Sequence, residues 1–101
     1  MADILKIDGA GEVIRRLREE AGIGLNQLAA SLGWDKGRIS KYENNHLALA
    51  LPVIEDIAEA IGLRPEVVVL ECLKHRYPTL AGSKIGHLLA SLIDKLGDMG
   101  R

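Results

Sequence analysis

The chain has 101 residues, 48% of them apolar, and a formal net charge of −1, which together predict one domain. Only three residues are aromatic, so the core must be aliphatic, as in packed helices. The single cysteine, Cys72, excludes an internal disulfide and fits a reducing compartment. With no signal peptide and no apolar run near the roughly 20 residues of a membrane span, the sequence predicts a soluble cytoplasmic protein.

Charge is distributed unevenly along the chain. Residues 13–46 carry six basic and four acidic side chains, a local balance of +2. Residues 47–73 carry one basic and five acidic side chains, a balance of −4. This asymmetry would orient the molecule on a polyanion, although the net charge is less basic than that of many nucleic-acid binders.

The first ten residues are too few to fold alone, and we expect a mobile N-terminal arm. A first helix is predicted over residues 11–21, where Gly22 ends it. Its inner stripe consists of Val13, Ile14 and Leu17.

Residues 27–45 predict a short helix, a tight turn at Gly33 and a second short helix with a polar first turn. Asp35 is placed to cap the second helix, with Trp34 packing the corner. In that helix Ile39 and Tyr42 face inward, while the outward side chains are small, polar or basic: Lys36, Gly37, Ser40, Lys41 and Asn44. The geometry of two such helices is typical of DNA recognition.

Three more helices are predicted downstream. After a turn with Asn45 in a left-handed conformation, a fourth helix covers residues 51–61 and a fifth runs from Pro65 to just before Pro78. A short break follows at residues 78–82. A sixth helix over residues 83–99 then carries a heptad seam that includes Ile85, Leu89, Leu92 and Leu96. This seam either docks on its own subunit or pairs with a second copy, and we favour pairing.

Several landmarks at fixed spacing carry a family resemblance: Arg18…Gly22, Leu28-Ala29…Gly33, Ile39-Ser40…Glu43 and Ala58…Gly62. They resemble the helix-turn-helix of phage repressors, Cro proteins and XRE-type bacterial regulators across residues 11–73. The resemblance implies an all-α fold with a five-helix lambda-repressor-like domain at residues 11–77, and the heptad seam adds a C-terminal amphipathic helix within residues 78–101 that we expect to be a dimerisation element. It further implies a transcriptional regulator, expected to be a repressor, that binds an operator of two half-sites in double-stranded DNA as a homodimer.

The resemblance also implies roles for individual residues. Arg18 pairs with Glu43 and supports the recognition helix. The base-facing positions fall on Lys36, Gly37 and Lys41 with Ser40 beside them, and the phosphate-facing positions on Arg38 and Asn44. The alternative interpretation is that the basic side chains simply solvate an exposed helix.

The sequence departs from the family pattern in two places. A Ser or Thr followed by Gln usually begins the second helix, but Gly24 and Leu25 stand there, which removes a phosphate contact and weakens the N-cap. Asn26 or Gln27 would substitute if the helix began later. Gly37 offers no side chain for reading bases, so specificity would depend on the two lysines and on DNA shape.

The sequence gives little indication of a catalytic site or a metal site. Cys72 and His75 have the spacing of two zinc ligands, but a structural site needs four, and Cys72 fits better as an apolar face residue. No partner is evident that would orient a Cys–His nucleophile, and no glycine-rich phosphate loop is present. We therefore predict no enzyme, cofactor, metal or small-molecule substrate.

The sequence is compatible with a second functional class. The same fold could serve as a protein-interaction module, such as an antitoxin or co-regulator that acts mainly through a protein partner. This hypothesis is favoured by the net charge of −1 and by the residues at two positions, Leu25 and Gly37. The sequence does not choose among a phage repressor, a restriction-system controller and an antitoxin.

Overall fold

The computed structural model describes residues 6–81 together with Lys84, His87 and Ser91. Five helices form the body of the domain: α1 (Gly11–Glu20), α2 (Leu25–Leu32), α3 (Lys36–Glu43), α4 (Leu51–Ile61) and α5 (Pro65–Arg76). A single turn of helix, α6 (Pro78–Ala81), occupies what the sequence predicts as a break. The mainly helical fold is confirmed.

A small antiparallel sheet joins the N-terminal segment to the loop after α3. Strand β1 (Lys6–Ile7) pairs with β2 (Leu49–Ala50) in the register Lys6↔Ala50 and Ile7↔Leu49. Ile7 and Leu49 are 4% and 1% exposed, so this pairing adds two side chains to the core. The prediction of a mobile arm over residues 1–10 is therefore wrong for residues 6–10, because a two-residue strand leaves no alternating pattern to detect.

The core is aliphatic, as the composition predicts. Each of the five helices contributes side chains that are completely buried, among them Ile14, Leu28, Ile39, Ile54, Ile57 and Val68. Helix α3 packs against α1 and α2, and α4 packs against α2 and α5. The inner face of α3 is consequently fixed by two neighbouring helices, which leaves its outer face to solvent.

The turn between α2 and α3 depends on one left-handed residue. Gly33 has φ 68°, and the Trp34 N–H donates to the Ala29 carbonyl at 3.0 Å, which closes α2. A side chain at φ near +68° would clash with its own backbone, so glycine suits this position. The turn brings the N-terminal end of α3 next to that of α2.

None of the helices among the described residues combines the length and apolarity needed to cross a membrane. The predicted sixth helix can be followed only at Lys84, His87 and Ser91, which are helical and exposed. Its heptad positions, Ile85, Leu89, Leu92 and Leu96, lie outside the described residues.

Candidate nucleic-acid interface

Helix α3 presents two different faces. Its inner face buries Ile39, Tyr42 and Glu43, which are 0%, 7% and 4% exposed. Its outer face carries Lys36 and Lys41, both exposed. Within residues 6–81 neither lysine takes part in an ion pair, so both ammonium groups remain available to an external anion.

The inner face is held by a buried ion pair between α1 and α3. Arg18 Nε donates to Glu43 Oε2 at 2.7 Å and Nη2 donates to Oε1 at 3.0 Å, while Nη1 donates to the Ile23 carbonyl at 3.0 Å. The hydrogen bond that Arg18 donates to Glu43 raises the pKa of the Arg18 guanidinium above its ordinary value. The structure thus brings together the two residues that the family resemblance pairs. A bidentate pair of this kind fixes the orientation of α3 as well as its distance from α1.

A second contact joins α1 to α3 at a position that the family resemblance does not single out. Arg15 Nε lies 3.4 Å from Glu43 Oε1, and Arg15 Nη2 donates to Asn44 Oδ1 at 3.2 Å. Arg15 and Arg18 are three residues apart and therefore lie on one side of α1. That spacing was the available signal, but the resemblance directs attention to Arg18 alone.

Asn44 and Ser40 are engaged with each other. Asn44 Nδ2 donates to the Ser40 carbonyl at 2.8 Å and to Ser40 Oγ at 3.1 Å, while its Oδ1 accepts from Arg15. Asn44 is predicted to contact phosphate, but its amide already has partners on both atoms. In this arrangement it fixes the Ser40 hydroxyl on the outer face of α3.

The end of α3 also meets the start of α1. Asn45 adopts φ 65°, as its position after α3 predicts, and its Oδ1 accepts the Gly11 N–H at 2.9 Å. This bond caps α1 from a distant part of the chain. A Cβ atom at Gly11 would overlap the carbonyl oxygens of Tyr42 and Glu43, so α1 and α3 approach more closely than any other residue would allow.

Arg38, predicted to contact phosphate, lies against the aromatic rings at the α2–α3 corner. Its guanidinium carbon is 3.8 Å from the ring centroid of Trp34 and 5.9 Å from that of Tyr42. The arginine thus covers the α2–α3 corner as a cation–π partner. The sequence predicts the packing of Trp34 but not its contact with Arg38, because Trp34 lies ahead of α3 and its spacing of four residues from Arg38 crosses the start of the helix.

Helix α2 begins at the residue where the family pattern places its start. Gly24 is the N-cap and Leu25 the first helical residue, so the late start considered for α2 does not occur. Gln27 Oε1 accepts the Gly24 N–H at 3.4 Å, but Gly24 has no side chain with which to return the bond. Gly24, Leu25 and Asn26 line a shallow hollow together with Lys36, Gly37 and Ser40 of α3.

Acidic side chains come closer to this surface than the sequence suggests. Asp56 and Glu59 of α4 line a hollow shared with Ser31 and Trp34 at the α2–α3 corner. The negative charge of the second half of the domain therefore reaches one edge of the candidate interface. A polyanion would be directed away from this edge and toward Lys36 and Lys41.

Cys72 belongs to the core. It is fully buried, and burial raises the pKa of its thiol to about 12, with a smaller contribution from Glu71. His75 is exposed and its Nε2 lies 3.8 Å from Glu12 Oε2. No group of three or more potential metal ligands occurs among the residues that the structure describes.

Comparison with known proteins identifies a family and a solved structure of similar fold. The family model described as a helix-turn-helix domain matches residues 10–70. The crystal structure of the clp gene regulator ClgR from C. glutamicum superposes with a TM-score of 0.63 at 19% sequence identity, covering 75% of this chain and 99% of that chain. None of the curated proteins matches significantly. The matched region contains both partners of the Arg18–Glu43 pair and the whole outer face of α3.

Proposed function

The chain belongs to the helix-turn-helix domain family, and we propose that it is a sequence-specific regulator of transcription that binds double-stranded DNA. In this proposal α3 enters the major groove, and the protein acts as a repressor at an operator with two related half-sites. The likeness in fold to a regulator of clp genes supports a regulatory role. The observation that carries the proposal is the division of α3 between an anchored inner face and a basic outer face.

The outer face is suited to contact base edges. Lys36 stands in the first turn of α3, and Lys41 lies five residues later on the exposed side. An ammonium group donates readily to guanine O6 and N7, so we expect a guanine in each half-site. Gly37 contributes no side chain, so part of the specificity would come from DNA shape.

Phosphate contacts would position the helix. Helix N-termini and small polar side chains commonly bind phosphate oxygens. Asn26 is exposed in the first turn of α2, beside Lys36, and we assign it the backbone contact that the family usually makes one residue earlier. Arg38 and Asn44 are less suitable, because both are engaged within the domain.

Selection of bound duplexes from a random pool tests this function directly. We expect enrichment of a sequence with two related half-sites, and its spacing would report the geometry of the dimer. Affinity for the selected duplex should fall by orders of magnitude between about 50 and 200 mM salt, since several phosphates are neutralised. A folded protein that binds no duplex at low salt would contradict the proposal and favour a protein-interaction module.

Dimerisation through residues 83–99 is the second part of the proposal. It depends on the sequence pattern alone, because the heptad residues lie outside the described part of the chain. The double change Leu89→Asp with Leu92→Asp places two charges on the seam and should halve the mass measured by light scattering. An unchanged mass would contradict pairing through this helix.

A further inference from the structure

Asn44 connects α1 to the outer face of α3 through hydrogen bonds whose direction is fixed at both ends. Arg15 can only donate, and its Nη2 lies 3.2 Å from Asn44 Oδ1. The Ser40 carbonyl can only accept, and it lies 2.8 Å from Asn44 Nδ2. Each neighbour alone would decide which side of the amide carries the oxygen, and the two agree. The Asn44 amide therefore has one orientation, with its N–H groups directed at Ser40.

This orientation determines how the Ser40 hydroxyl is used. Asn44 Nδ2 also donates to Ser40 Oγ at 3.1 Å, so one lone pair of the hydroxyl is occupied and its O–H points away from Asn44. A helical serine commonly donates to the carbonyl four residues earlier, which here belongs to Lys36. Among the side-chain hydrogen bonds of residues 6–81, however, Ser40 Oγ only accepts. Its O–H is therefore free to donate to an external acceptor, and accepting from Asn44 strengthens it as a donor.

Ser40 lies on the part of α3 that would meet a base edge. It follows Lys36 by four residues, which places both on one side of the helix, and the two residues line the same hollow. In the major groove the bases present acceptors (purine N7, guanine O6 and thymine O4) and donors (the amino groups of adenine and cytosine). A serine hydroxyl that rotates without restraint binds either kind. A hydroxyl that already accepts from Asn44 favours an acceptor.

We propose that Asn44, oriented by Arg15, is a positioning residue that makes Ser40 a hydrogen-bond donor to the N7 atom of a purine in each half-site. N7 is the acceptor that adenine and guanine share, so it is available on two of the four bases. This inference deepens the proposed function and rests on it. It gives Arg15 of α1, which would not touch the base, a part in sequence specificity.

The test replaces each purine of the selected duplex in turn with its 7-deaza analogue, in which a C–H group stands in place of N7. Loss of one hydrogen bond should lower the affinity of the wild-type protein about fivefold at one purine of each half-site. Ser40→Ala should bind the normal and the 7-deaza duplex alike at that purine, while purines contacted by the lysines remain sensitive. This pattern identifies the base that Ser40 contacts.

Substitution of Asn44 tests the positioning role. Asn44→Asp can still accept from Arg15 but cannot donate to Ser40, so the hydroxyl should turn toward the carboxylate and the 7-deaza effect should disappear. Asn44→Ala leaves the hydroxyl free to donate to the Lys36 carbonyl and should abolish the effect as well. The negative charge added by Asn44→Asp weakens binding to both duplexes, so the quantity compared is the ratio of the two affinities.

Asn26→Ala is the matched control, because Asn26 is an exposed amide on the same surface that makes no hydrogen bond to Ser40 among the described residues. It should lower both affinities by the same factor and keep their ratio. A wild-type ratio in both Asn44 variants, with melting temperatures that show an intact fold, would overturn the positioning role.

Two further outcomes separate the inference from the function on which it rests. If Ser40→Ala weakens binding but leaves every 7-deaza effect in place, Ser40 contacts a phosphate, which overturns the inference and leaves the proposed function intact. Failure of the folded protein to bind any duplex overturns both.

Discussion

The inner and outer faces of α3 are built from the same eight-residue helix but use their polar groups in opposite ways. On the inner side Glu43 accepts from Arg18 and Arg15, and no buried side-chain nitrogen or oxygen in the described residues lacks a partner. On the outer side Lys36 and Lys41 have no ionic partner within residues 6–81. The anchoring of α3 and its proposed contacts with DNA therefore use different side chains of one helix, so substitutions should separate the two effects.

The largest expected effect is on the inner face. Glu43→Ala leaves the Arg18 guanidinium buried without its carboxylate and should lower the free energy of unfolding by about 3–5 kcal/mol, measured by urea denaturation. Glu55→Ala on α4 is the control, because Glu55 is exposed and its loss should change stability by less than about 0.5 kcal/mol. Equal stability of the two variants would show that the Arg18–Glu43 pair does not anchor α3.

A double substitution tests whether the buried unpaired charge causes the loss of stability in Glu43→Ala. Arg18→Met combined with Glu43→Leu removes both charges and keeps apolar volume at the contact. It should recover much of the stability lost in Glu43→Ala, because no unpaired charge remains buried. If the double variant is no more stable than Glu43→Ala, the loss comes from packing and not from the stranded charge.

Two glycine-to-alanine changes, each of which adds one methyl group, compare the packing at the inner and outer faces of α3. Gly11→Ala pushes a methyl group against the carbonyls of Tyr42 and Glu43, which cannot turn away as a side chain can. We expect a loss of about 1–3 kcal/mol from overpacking. Gly37→Ala, also in the first turn of a helix, meets only the flexible Asp35 carboxylate and should leave the melting temperature unchanged or slightly raised. Similar losses in both variants would contradict the difference between the faces.

On the outer face the effect should appear in binding. Lys36→Ala and Lys41→Ala should each lower the affinity for the selected duplex about tenfold, or ~1.4 kcal/mol, without lowering the melting temperature of the protein. Lys74→Ala on α5 removes the same charge from a surface outside the interface and serves as the control. Unchanged affinity of both outer-face variants would show that α3 does not read the DNA.

The sequence predicts the scaffold better than the details of the interface. The bounds of α4 are predicted to the residue and those of α1 within one, because apolar spacing and terminal glycines define them. The Arg18–Glu43 pair follows from the family resemblance. The contact of Arg38 with Trp34 and the hydrogen bond from Asn44 to Ser40 do not follow from the resemblance, because each depends on side-chain rotamers and on competition among nearby partners. The strand at Ile7 was missed because it is only two residues long.

The smallest expected effect concerns the start of α2, beside the outer face. Gly24 has the extended conformation of an N-cap, with φ −75° and ψ 161°, and a Cβ atom there would meet nothing within 4 Å. Gly24→Ser supplies an oxygen that can accept from the Gln27 N–H and complete the capping box, so stability should rise by a few tenths of a kcal/mol. Gly24→Ala, the control, adds the carbon without the acceptor and should lower stability, because alanine is a poor N-cap.

A gain in stability for both variants would mean that loss of glycine flexibility, and not the new hydrogen bond, is responsible. A gain for serine alone would show that this edge of the interface lacks stability that a single hydroxyl can supply, as expected if the outer surface was shaped by its ligand and not by the needs of the fold.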